Sequence, residues 1–70
     1  MSLPDMIPVH GSSNVKGHAY RDGRVYTWFH NGGVYSHPGT EAEFAAYQAA
    51  SSKGKHFIAT FKPRAHAKHA

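Results

Sequence analysis

The sequence has no cysteine, few carboxylates and no long apolar run, and each shortage excludes a class of protein. Without Cys there is neither a disulfide framework nor a thiolate metal cluster. The carboxylates are Asp5, Asp22, Glu41 and Glu43. Asp22 belongs to a turn pair and Glu43 to a helix cap. Glu41 and Glu43, two apart on a helix, do not share a face, so no acid–base pair emerges. Gly-x-Ser-x-Gly, His-Glu-x-x-His and Walker-type loops are all missing. The expectation is a protein without catalysis, cofactor or resident metal. No stretch approaches the ~18 apolar residues of a membrane span. Met1-Ser2-Leu3-Pro4-Asp5 lacks the basic and apolar regions of a signal peptide, so a cytoplasmic location away from membranes is expected.

What remains is small and basic. Seventy residues suit one domain. A chain of this size buries only about 60% of the surface it exposes when unfolded. Eight Lys and Arg against four Asp and Glu give a formal charge of +4. That balance favours polyanionic partners, although it is also an ordinary charge for a soluble surface.

Residues 1–11 read as an extended arm, with Pro4 and Pro8 among Leu3, Met6, Ile7 and Val9. Val15 to Tyr20, Arg24 to His30 and Gly33 to His37 are short segments rich in aromatic and β-branched residues. Asp22-Gly23 and Asn31-Gly32 separate them, and both pairs suit two-residue type I′ turns. After Pro38-Gly39, Thr40-x-x-Glu43 matches a capping box, and the helix it starts is expected to run to about Ser51 with Gly54 as its stop. Lys55 to Phe61 fits helix and strand equally. Residues 65–70 read as a disordered basic tail. The predicted fold is α+β: a three-stranded antiparallel meander, one helix packed on one face, and a short C-terminal segment. Its core should hold Tyr20, Val25, Phe29, Val34, Phe44, Tyr47, Phe57 and Phe61.

Ser12-Ser13-Asn14-Val15, Tyr20, Val25-x-Thr27-x-Phe29, Gly32-Gly33-Val34-Tyr35 and Ser52-Lys53-Gly54-Lys55-His56-Phe57 together resemble the KTSC domain. That domain takes its name from the C-terminus of some lysyl-tRNA synthetases. The similarity spans residues 12–64 and implies strands followed by a helix, with RNA as the expected ligand. Tyr35-Ser36-His37 stands where the family has Tyr-x-Tyr, and Ile58 where an Asn is frequent.

Strand alternation puts Val25, Thr27 and Phe29 on one face and Tyr26 and Trp28 on the other. If the helix covers the first face, Tyr26 and Trp28 are open to stack bases, with Arg21 and Arg24 nearby for phosphate. Trp28 is equally suited to anchoring a core under the arm. Tyr35 joins the open face if Asn31-Gly32 is a two-residue loop, and the covered face if the loop is a residue longer. Lys53, Lys55, Lys62 and Arg64, with Lys68 beyond, form a basic run that suits phosphate or a solvated end. His66-x-x-His69, with His56, has ligand-like spacing, but a flexible polar tail accounts for it and no metal is expected. The seven histidines should add positive charge on acidification.

The sequence therefore points to a nucleic-acid-binding module that prefers RNA. The alternative is a protein- or ligand-binding module, such as a phage-encoded inhibitor of a host factor.

Overall fold

A computed structural model describes residues 3–69; Met1, Ser2 and Ala70, the ends of the arm and the tail, lie outside the described residues. Strands β1 (Ile7–Pro8), β2 (Val15–Arg21), β3 (Arg24–Phe29) and β4 (Val34–Pro38) precede helices α1 (Glu41–Ala49) and α2 (Lys53–Thr60), and β5 (Ala67–Lys68) follows. The strands form one antiparallel sheet in the order β1-β2-β3-β4-β5. The α+β class matches the expectation. The sheet has two more strands than the expected meander, and there are two helices instead of one.

Asp22 and Gly23 have φ of 51° and 77°, which fits the type I′ turn, and Arg21 pairs with Arg24 across it. The second hairpin is different. Gly32 N donates to Phe29 O at 2.9 Å, and Phe29 N donates to Gly33 O at 2.8 Å. Gly32 has φ 93°, so the connection is a three-residue loop with glycine in the left-handed region. Asn31 Oδ1 accepts from Gly33 N at 2.9 Å and fixes the corner. Tyr35 then stands opposite Thr27, on the helix-covered face.

A bulge at Lys16 in β2 performs a second switch. Val15 pairs with Phe29 and Gly17 with Trp28, so Val15 and His18 share the helix side. Val25, Phe44, Tyr47, Phe57 and Phe61 form the main core, with Tyr20 and Phe29 against it. Complete burial of Phe61 contributes about 1.5–3 kcal/mol. Thr27 Oγ1 and Tyr47 Oη share a buried hydrogen bond of 3.1 Å that ties β3 to α1.

Both arms of the capping box form: Glu43 N donates to Thr40 Oγ1 at 3.1 Å, and Thr40 N to Glu43 Oε1 at 3.0 Å. The helix ends at Ala49, short of Ser51, and Gly54 is not its stop. Ser52 caps α2, and Gly54 lies in its first turn, where a Cβ would stand 3.3 Å from Asn14 Nδ2. Phe57 and Phe61, a helical turn apart, both reach the core, which settles the ambiguous segment as helix.

The other sheet face is covered as well. Ala19, Tyr26 and Val34 form a second cluster, with Met6 and Trp28 against it. Val34 therefore belongs here and not to the main core. The segment read as a disordered tail supplies β5, in which Tyr35 pairs with Lys68 and Ser36 with Ala67. His69 N donates to Val34 O at 2.8 Å, and its Nε2 meets Ser36 Oγ at 2.7 Å. Backbone pairing along the edge of β4 holds this segment, which has no bulky apolar residue of its own.

Candidate functional site

The expected aromatic platform on the far face is closed. Tyr26 is only 7% exposed, and its ring lies 5.2 Å from that of His69. Trp28 is half-buried beside Met6, with Lys16 Nζ 4.1 Å above its ring. The Arg21 guanidinium lies 5.9 Å from the Tyr26 ring. Arg24 is engaged by Ser36, with Nε donating to Oγ at 2.8 Å and Nη2 to the carbonyl at 3.0 Å. Arm and tail thus occupy the surface where bases would stack.

The basic run divides in the same way. Arg64 donates through Nη1 to Glu43 Oε1 and to Pro38 O, each at 2.9 Å, and pairs with Glu43 Oε2 through Nη2. Lys53 Nζ donates to Ala50 O, in the turn between the helices. Lys55, Lys62 and Lys68 are exposed, and no ion pair engages them among the described residues.

A different site emerges on the helix side. A cleft of about 690 Å³ opens where the tip of the β3–β4 hairpin, the Ser13-Asn14 turn, α2 and the segment before β5 meet. This volume lies within the ~300–1,000 Å³ typical of ligand sites. Phe29, Tyr35, Phe57 and Ile58 form its apolar walls, and Lys62 and His66 are among its polar lining. Phe29 meets Tyr35 and Phe57 edge to face at 5.9 and 5.1 Å, which fixes the ring orientations. His66 meets Tyr35 at 5.6 Å. Ile58 is 53% exposed and belongs to neither core cluster.

Local hydrogen bonds hold the entrance. Ser12 Oγ accepts from Val15 N at 3.0 Å. His30 N donates to Asn14 O, and His30 Nε2 meets Ser12 O, both at 3.0 Å. A smaller recess of about 310 Å³ adjoins the cleft at Ser13, Asn14, Gly54 and Ile58, and runs on to Lys53, Lys55 and His10. Flat rings thus stand next to a recess lined in part by Lys53 and Lys55. That combination suits a planar ligand attached to an anionic chain.

Burial, reinforced by Lys53, pushes the His18 pKa down to about 4. Burial also lowers that of His37, with His66, Arg24 and Arg64 adding to the effect. The Arg64 hydrogen bond and the Thr40 amide hold Glu43 down at about 2. Burial raises Tyr47 to about 12 against the opposing Thr27 hydrogen bond. Near pH 7, His37 therefore lines the cleft as a neutral imidazole. Among the described residues no three His, Asp or Glu side chains gather as a metal centre. His66 packs with His37 and Tyr35, whereas His69 reaches Ser36 and Tyr26 on the opposite face.

Compared with known proteins, the chain matches no family model and no curated protein sequence.

Of the expected binding residues, the cleft brings together Tyr35 and Lys62, with Lys53 and Lys55 on the adjoining recess. It leaves Arg21, Arg24, Tyr26, Trp28 and Arg64 elsewhere. Asn14, His30, Ile58 and His66 line it without having been singled out from sequence as contact residues. Ser13, Asn14, Phe29, Tyr35, Gly54 and Phe57, which line this cleft, fall in the segments on which the expected KTSC resemblance was drawn.

Proposed function

We propose that this protein is a small non-catalytic nucleic-acid-binding module that prefers single-stranded RNA and acts in the cytoplasm. The observation that carries the reading is the aromatic cleft beside a lysine-bordered recess. Bases supply π-faces for Tyr35 and its neighbouring rings, and phosphates supply charge for Lys62, Lys53 and Lys55. The net charge of +4 and the resemblance to the KTSC domain favour the same ligand. The carboxylate inventory supports binding without catalysis: Glu43 is paired with Arg64, and Glu41, two residues earlier in the first turn of α1, does not share its helix face.

Titrating a labelled single-stranded RNA at increasing salt tests the proposal. Log affinity should fall linearly with log salt, by about 0.7 per phosphate neutralised. Lys62→Ala should reduce that slope by about one phosphate's worth. Tyr35→Ala should weaken binding by about 1–3 kcal/mol. Binding that ignores salt, or no binding at low salt, would reject the RNA reading in favour of a protein- or ligand-binding module.

A further inference from the structure

His37 contributes to the cleft lining although it is only 3% exposed. Its ring stands edge-on to Phe57 at 5.1 Å and lies 5.9 Å from His66. Its Nδ1 has no hydrogen-bond partner. A buried polar atom left unpaired costs about 1–3 kcal/mol, and in a native protein such an atom calls for an explanation. His18 Nδ1 and His56 Nε2 are unpaired too, but those residues lie outside the cleft among the rings of Phe44 and Tyr47. Of the three residues, His37 alone is among those that line the cleft.

The surroundings define the ligand's chemistry. A phosphate would lose hydration against Phe29, Phe57 and Ile58 and would meet an imidazole that carries no charge near neutral pH. A purely apolar ring would leave Nδ1 unsatisfied. A flat heteroaromatic ring satisfies both demands, with its faces toward aromatic walls and its polar edge toward the histidine. A neutral imidazole has one donor and one acceptor nitrogen, so Nδ1 makes one such bond in either tautomer.

We propose that the cleft is a base pocket: it takes one nucleobase, unstacked from a single strand, whose polar edge pairs with His37 while Tyr35 and Phe57 flank its ring. The assignment rests on the RNA reading above and makes it more specific. The strand leaves the pocket past Lys62 and the recess that carries Lys53 and Lys55. Charge holds the strand, and the pocket distinguishes a chain that carries bases from one that does not.

The test compares a short single-stranded RNA with a ribose-phosphate oligomer of equal length and charge that lacks its bases. Both are titrated into the intact protein. The base-bearing strand should bind at least about ten-fold more tightly. His37→Phe keeps a ring against Phe57 and removes the nitrogen. It should bring the two affinities together by weakening only the base-bearing strand. If His37→Phe fails to fold, Tyr35→Ser on the half-buried strand position should remove the same preference. Equal affinity of the wild type for both strands overturns the base pocket and leaves the charge-based reading standing. Failure to bind either strand removes the RNA reading, and the pocket with it. A folded His37→Phe protein with its preference intact overturns the assignment to His37.

Discussion

His18 lies with its ring 5.0 Å from Phe44 and 4.8 Å from Tyr47, only 2% exposed and with Nδ1 unpaired. Its pKa near 4 in the folded protein compares with an ordinary value of 6.5. Between those values the unfolded chain binds a proton that the folded chain refuses. Stability is therefore full above about pH 6.5 and is lost as pH falls toward 4, and His37 acts with the same sign. Urea denaturation should show a loss on the order of 2 kcal/mol between pH 7 and pH 5. A folded His18→Phe protein should show a flatter profile, with the slope from His37 remaining. A wild-type stability that is constant over that interval would contradict the buried neutral histidine. Glu43 has the depressed carboxylate pattern: its contribution is present above its ordinary pKa of 4.5 and disappears as pH falls through about 2. These two histidines also reduce the charge gained on acidification, which the sequence alone suggested would come from all seven. Polyanion binding should strengthen less between pH 7.5 and 6 than the histidine count implies.

Among the elements, those with a local signature were legible in the sequence. Asp22-Gly23 specified its turn because both central positions need positive φ, which Gly and Asp tolerate. Gly23→Val should destabilise the fold by about 1–2 kcal/mol, measured by denaturation, because a β-branched side chain resists φ of 77°. Thr40 and Glu43 specified the start of α1 for a similar reason: the capping bonds join residues three apart. Asn31-Gly32 left the register of Tyr35 open because the same dipeptide serves two- and three-residue loops. Strands β1 and β5 have two residues each, so no alternation exists to detect. Only the unpaired edges of β2 and β4 draw them in. Truncation after Arg64 therefore has a consequence opposite to that of losing a loose tail. It removes the His69 bonds to Val34 and Ser36 and uncovers Tyr26. The truncated protein should melt several degrees lower. An unchanged melting temperature would show that β5 contributes nothing to the sheet.

At the scale of the whole molecule, most of the core was legible and the site only in part. Apolar rings at strand and helix spacing identified Tyr20, Val25, Phe29, Phe44, Tyr47, Phe57 and Phe61 correctly. Tyr26 and Trp28 were left between an open platform and a core under the arm, because strand alternation reveals two faces but not what covers each. Met6 and His69 supply that cover from opposite ends of the chain. The cleft is assembled from three separate stretches of the sequence, and its shape depends on the loop that turns Tyr35 inward. Amide chemical shifts recorded during titration with a single-stranded RNA at low salt test this placement most directly. The largest changes should fall on Asn14, Tyr35, Ile58 and Lys62, with Tyr26 and Ala19 nearly still. Changes centred on Tyr26 and Trp28, or none at any residue, would contradict it.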